Sequence, residues 1–210
     1  MGRVVWMALL ALCLPLSALA DSSNQVDFGN TGGTLTGSNA GMTLSGTSLT
    51  SVVNYDGLPT ITGNDLGSLT FTTGALISGN LQTGAVFAGG GSFQIATNGT
   101  QGLPDGVIFN GIFSGDVTWQ LFTLSNGTKE YTLTGPISGV LVEGNQNIAV
   151  VGLTVQLTVS VSKGSQTLVS IMLASGNTNL TPVPEPGTLG LLGTGLLGIA
   201  ALVRQRLRSR

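Results

Sequence analysis

The sequence predicts an all-β protein, an antiparallel β-sandwich or flattened barrel, flanked by an N-terminal signal peptide and one C-terminal transmembrane helix. Three observations lead there. Charged residues are only 8% of the 210, against roughly 25% in an average soluble domain. Between the two ends the chain is rich in Thr, Ser, Gly and Val, which favour strands and tight turns. Period-two alternation of apolar and polar residues recurs, and no helical apolar period of useful length appears before residue 187.

The first segment, residues 1–20, reads as the signal peptide. Arg3 supplies the positive start, Val4 to Leu14 is apolar, and Pro15 and Ser17 break the run. Ala18 and Ala20 then form the small-x-small pattern that a signal peptidase reads. The apolar core is too short to span about 30 Å of hydrocarbon, so removal is expected, with Asp21 as the new N-terminus.

Residues 21–181 read as the exported β domain. Its clearest strand is Leu153 to Val161, where Leu153, Val155, Leu157, Val159 and Val161 alternate with Thr154, Gln156, Thr158 and Ser160. That pattern predicts an apolar face turned to the core and a wet polar face. From Asp116 to Leu124 the phase of Val117, Trp119 and Leu121 gives way to Phe122 and Leu124, which suggests a bulge or burial on both faces. Shorter strands are predicted at 49–53, 68–72, 92–97, 107–113, 129–134, 137–143 and 166–173. Asn98-Gly99 and Asn126-Gly127 are strong turn signals, because both residue types tolerate positive φ. Asp56-Gly57 and Asp105-Gly106 are weaker ones. The Asn126 turn makes 116–134 a predicted hairpin. Phe28, Phe71, Phe87, Phe93, Phe109, Phe113, Phe122 and Trp119 are the expected large core members. Residues 21–48, rich in Gly, Thr, Ser and Asn, are expected to be loose in part. A β-solenoid is the alternative, although no fixed repeat period is present.

Composition also excludes chemistry. There is no His, and the one Cys, Cys13, lies in the signal peptide. Disulfides, zinc, haem or copper sites built on Cys or His, and Ser–His or Cys–His nucleophile pairs are therefore excluded from the exported domain. No cofactor is expected. Between Asp21 and Val183 the chain has eight acids and two bases, with no basic stripe to neutralise phosphates, so no nucleic acid is expected as a partner. Asp116, Glu130 and Glu143 are the one trio of acids placed on or near strands that suits glycoside hydrolysis by paired carboxylates. Chance pairing of scattered acids explains them more simply, and the chain is expected not to be an enzyme. Asp56, Asp65 and Asp105 sit in loops without the D-x-D-x-D spacing of a calcium loop, and read as turn formers. Thr34 and Thr36, Thr70 and Thr72, and Thr132 and Thr134 each put two hydroxyls on one strand face. A flat threonine array suits an ice-binding surface, whereas three separate pairs are accounted for by β-propensity.

The chain ends in three parts. Pro182, Pro184 and Pro186 keep residues 182–186 extended. Residues 187–203, GTLGLLGTGLLGIAALV, carry no charge and as a helix would reach about 25 Å, the short end of a membrane span. Arg204, Arg206, Arg208 and Arg210 follow in the basic tail 204–210. By the positive-inside rule the tail is expected in the cytoplasm and the β domain outside. Gly190, Thr194 and Gly198 form a small-residue stripe that suits helix–helix contact.

Val183, Pro184, Glu185 and Pro186, then an apolar Gly-rich helix, then terminal arginines: this order resembles the tripartite PEP-CTERM sorting signal of bacteria. The resemblance covers residues 182–210. It implies export, recognition by an exosortase, which is a membrane-embedded protease or transpeptidase, and a Gram-negative-type host that makes exopolysaccharide. The same tail is also labelled an ice-binding protein C-terminal domain. Relatives of this kind share the tail and not the mature domain, so the resemblance transfers no activity. The expected function is that of an exported surface or matrix protein, structural or adhesive, in the exopolysaccharide layer. Its expected partners are signal peptidase, the exosortase and exopolysaccharide. A carbohydrate-active enzyme using Asp and Glu alone is one alternative; an ice-binding surface protein is another.

Overall fold

A computed structural model of the chain describes residues 25–125, 127, 129–158, 171–183, 195–196 and 198–199. Residues 1–20 with Ala18 and Ala20, expected as a signal peptide, the motif residues Pro184, Glu185 and Pro186, nearly all of the apolar run 187–203, and the four tail arginines lie outside the described residues. Among the described residues no helix is long and apolar enough to cross a membrane.

The strands belong to the unit Asn24–Pro182. In chain order they are β1 (Val26–Thr31), β2 (Thr34–Ser38), β3 (Gly41–Ser45), β4 (Ser48–Val53), β5 (Ile61–Thr62), β6 (Gly67–Thr72) and β7 (Leu76–Asn80). They continue as β8 (Gly84–Phe87), β9 (Gly90–Asn98), β10 (Asp105–Phe113), β11 (Val117–Thr123), β12 (Lys129–Glu143), β13 (Gln146–Thr158) and β14 (Ile171–Pro182). The all-β prediction holds, and every pairing is antiparallel.

The pairings close on themselves. From β14 they run through β2, β3, β6, β9, β10 and β12, and β13 joins β12 back to β14. Two branches leave this ring, β1-β4-β5 from β14 and β11-β8-β7 from β12. Closure pairs strand edges that would otherwise stand open to other chains.

Several strands differ from the sequence expectation. The stretch 21–48, expected to be partly loose, contains β1, β2 and β3, all of them paired. Segments 129–134 and 137–143 are one strand, β12, running straight through Pro136. The reason is local. On one side β12 pairs with β13 from Thr132 to Glu143; on the other it pairs with β11 up to Thr134 and with β10 from Ile137. Proline, which has no N–H to give a ladder, sits at that change of neighbour. Its carbonyl still accepts from the Ser114 N–H, at 3.0 Å. The strand expected at 166–173 appears as β14, which continues to Pro182; residues 166–170 lie outside the described residues.

The core is aromatic at its centre. Phe71 and Phe93 stack at 5.7 Å between ring centres, and Phe113 meets both edge-on. Phe109 meets Phe93 edge-on in turn. Phe28 and Phe87 are also buried. Trp119 is buried, stacks on Tyr131 at 4.7 Å, and donates its indole N–H to the Leu81 carbonyl. The predicted hairpin 116–134 is present as β11 and β12, with Gly127 at φ 82° in the turn. Phe122 is the exception among the predicted core residues. It points outward opposite Glu130, 45% exposed. The β11–β12 register is unbroken, so the expected bulge is absent and Phe122 and Leu124 are simply the outward phase.

The largest correction concerns β13. Leu153 and Val155, expected in the core, are exposed, and Thr154, Gln156 and Thr158 are buried. The partner strand dictates this. The inward set of β12 is Tyr131, Leu133, Ile137 and Leu141, and the tight turn after Glu143 locks the register, so that Leu133 faces Gln156 and Leu141 faces Ile148. A one-residue slip would turn every side chain over. The even positions of β13 must therefore point inward, polar or not. Their polar groups find partners. Gln156 and Asn30 exchange amide hydrogen bonds at 3.0 and 3.3 Å. Gln156 also donates to Thr154, whose hydroxyl pairs with that of Thr178 at 2.8 Å. Thr158 Oγ1 bonds both backbone groups of Tyr131. Gly176 lies against this amide pair, and a Cβ there would collide with Gln156 Oε1. Satisfied in this way, the buried polar groups avoid the roughly 1–3 kcal/mol that each unpaired group would cost.

Candidate functional site

The ring carries two uncharged outer faces of different character. The first spans β2, β3, β6, β9 and β10. β2, β3, β6 and β9 alternate: Leu35, Met42, Leu44, Leu69, Phe71, Phe93 and Ile95 point into the core, and hydroxyls and amides point out, whereas β10 buries Ile108 and Phe109 side by side and turns out Val107 and Ile112 as well as Asn110. Register aligns them. Thr36 faces Thr43, Thr43 faces Thr72, and Thr72 faces Ser92, a row of four hydroxyls across four strands. A second row runs Thr70, Gln94 and Asn110. Rows of this kind stand about 4.8 Å apart across strands and about 6.8 Å along them. The rows are partly bonded internally: the Thr72 and Ser92 hydroxyls lie 3.0 Å apart, and Gln94 Nε2 reaches Asn110 Oδ1 at 3.5 Å. None of these outward positions is charged. Two of the three threonine pairs expected to be unrelated, Thr34 with Thr36 and Thr70 with Thr72, thus share one face through Thr43 of β3. The third pair, Thr132 and Thr134, lies elsewhere, on β12.

The second face lies on β12 and β13. Val151, Leu153 and Val155 form a stripe along β13, opposite Ser138, Pro136 and Thr134 of β12; Val140 of β12 faces the neighbouring Ala149, and Ile112 of β10 lies beyond Ser138. Threonines and asparagines of β14 flank its other side, with Thr181 opposite Val151 and Asn179 opposite Leu153.

The acidic trio does not assemble. Glu130 and Glu143 stand at opposite ends of β12, thirteen residues apart, or about 43 Å of extended strand. Asp116 is an exposed loop residue before β11. Glu143 instead meets Asp56, the turn residue between β4 and β5, whose backbone N–H bonds its carboxylate. Burial raises the Glu143 pKa; that hydrogen bond lowers it and the Asp56 charge raises it again. The neighbouring Tyr55 hydroxyl, buried and beside both carboxylates, is pushed up to about 12. Its O–H donates to the Val142 carbonyl. The Asp56–Glu143 contact has no sequence signal, because the two residues are far apart along the chain and meet only through the β12–β13 turn. Asp27 of β1 is a further perturbed acid. Burial raises its pKa, opposed by hydrogen bonds from Asn177 and the Phe28 N–H, and its Oδ1 is enclosed without a partner. Among the described residues no group of three or more potential ligands is placed to hold a metal ion.

Of the sorting residues, Val183 is described and exposed; the chain reaches it directly from Pro182, the last residue of β14. The described fold and faces define the class: an antiparallel β protein that presents uncharged sheet surfaces. Its C-terminal segment is identified more narrowly, because residues 182–206 match the family model of the PEP-CTERM protein-sorting motif. That motif marks the chain as an exported protein with a membrane-anchored sorting signal at its C-terminus, processed by exosortase, a membrane protease. No curated protein and no solved structure matches the chain.

Proposed function

We propose that this protein is a non-enzymatic component of the bacterial surface or extracellular matrix, folded as a flattened barrel that contacts neutral exopolysaccharide through the hydroxyl face of β2, β3, β6, β9 and β10. The signal peptide is removed after Ala20, the domain lies outside the cytoplasmic membrane, the arginine tail stays inside, and exosortase cuts beside Glu185. The observation that carries the reading is the register row Thr36, Thr43, Thr72 and Ser92 on an uncharged face. Hydroxyls and amides held at fixed spacing by a rigid sheet meet a polyol with many weak hydrogen bonds, and no charge has to be desolvated. The test is a glycan-binding screen of the mature protein beside Thr43→Lys and Thr72→Lys. Binding to an uncharged polysaccharide that both variants lose, with unfolding midpoints unchanged, supports the reading. Binding that survives both substitutions, or no binding to any glycan, defeats it.

The same rows favour one second reading, an ice-binding face, since a regular hydroxyl array at these spacings suits ordered water. Inhibition of ice recrystallisation by the parent and not by Thr43→Lys would establish it.

A further inference from the structure

We propose that the aliphatic stripe on the outer side of β13 rests on the lipid surface of the membrane for as long as the C-terminal tail is uncut. The inference relies on the reading above that the tail holds the chain in the membrane. It starts from a mismatch: Ile112, Val140, Val151, Leu153 and Val155 are between 38% and 48% exposed on neighbouring strands, in a chain that has polar residues to spare for outward positions. The strand that bears three of them buries Thr154, Gln156 and Thr158 instead.

Where the chain leaves the fold says what covers the stripe. Pro182 ends β14 opposite Val150, and Thr181 stands opposite Val151, so the exit is one strand away from the stripe. The sorting motif begins at that same Pro182. From there the apolar run starts five residues on, at Gly187, within about 18 Å of fully extended chain. A tail held in lipid therefore tethers the end of β14, one strand from the stripe, within that reach of the bilayer.

Size decides against a second copy as the occupant. Five half-exposed aliphatic side chains make a patch of the kind monomers carry, about 300–600 Å², short of the about 800 Å² per partner that a stable complex buries. A patch too small to hold a partner from solution suffices beside a membrane, because the tether supplies a high effective concentration. No acid or base stands among the five residues, so contact with lipid desolvates no charge on the stripe.

The experiment uses the full chain in phosphatidylcholine vesicles, purified from a host without the processing protease. In a Cys13→Ser, Trp6→Phe background, which leaves Trp119 the one tryptophan whether or not residues 1–20 are removed, Val151→Cys or Thr43→Cys supplies a single thiol for a fluorescent label on one face or the other. Vesicles with brominated acyl chains should quench the label at position 151 several-fold more strongly than the label at position 43, with the buried Trp119 emission unchanged in both. Equal quenching at the two positions in chains that float with the vesicles overturns the stripe proposal alone. Energy transfer between labelled copies, persisting on dilution in lipid while bromine leaves position 151 unquenched, overturns it in favour of a second copy. Chains that do not float with vesicles overturn the anchoring reading, and this proposal with it.

Discussion

In β9, Phe93 and Ile95 point into the core while Ser92 and Gln94 point out. In β13, Thr154, Gln156 and Thr158 point in while Val151, Leu153 and Val155 point out. Both strands alternate, and both sit within the same closed ring. They differ in what the neighbours require. β9 lies between β6 and β10, whose inward residues are the phenylalanines of the aromatic cluster, so its apolar set has somewhere to go. β13 lies between β12 and β14 and takes its phase from the long hairpin with β12. Its inward polar residues meet Asn30 and Thr178, which complete their hydrogen bonds. A strand's face is thus decided by the pair it forms, and the two regions are held by different forces: dispersion and burial around β9, a satisfied amide and hydroxyl network around β13.

That contrast makes unequal predictions. The largest effect belongs to the aromatic side. Phe93→Ala should destabilise by about 3–5 kcal/mol, as core aromatic truncations do, measured by urea unfolding followed through Trp119. A loss under half of that would mean that the cluster is not the centre of the core. Next comes the polar side. Gln156→Ala strands the Asn30 amide and should cost about 1–3 kcal/mol. With Asn30→Ala added, the double variant should lose less than the sum of the two single losses, because one interaction is removed twice. Strict additivity would show that the amide pair is incidental and the contrast with β9 overdrawn.

A smaller effect is expected from pH. Burial holds the Asp27 and Glu143 carboxyls above the ordinary carboxylate range. The folded chain then binds those protons more tightly than the unfolded chain does, so stability rises as pH falls from neutral through the folded pKa values. The gain is complete below the unfolded values. Thermal melting at stepped pH checks this, and Asp27→Asn with Glu143→Gln should flatten the profile; a profile unchanged by both substitutions would count against it. The smallest effect separates inside from outside on β13 itself. Leu153→Thr, on the exposed stripe, should change stability by no more than about 0.5 kcal/mol. A loss of more than 2 kcal/mol would restore Leu153 to the core and reverse the phase described here.

Much of this was readable along the chain. Strands β4, β6, β9 and β10 and the β11–β12 hairpin follow from short-range alternation and turn residues, which act over a few positions. Six of the seven phenylalanines and Trp119 were readable as core, because large aromatics are seldom left to water in a strand-rich chain. Phe122 escaped that rule by phase. Pro136 looked like a strand end and is a fork, since only the far side of the sheet shows where a missing N–H is harmless. The hydroxyl face was visible only as separate threonine pairs; Thr43, a member of none of them, joins them.

By itself the sequence determined that the protein is all-β, that residues 14–210 hold no Cys or His, and that its tail is a sorting signal. Each of these depends on composition or on residues adjacent in the chain. Tertiary structure alone decided which face of β13 is buried, which threonines form one surface, and that Glu143 meets Asp56 and not Glu130. Those are pairing decisions between distant segments. Alternation specifies that a strand has two faces and leaves their direction open, because a strand of period two is equally regular either way up. The hydrophobic sets of the neighbouring strands, closed into a ring, remove that freedom.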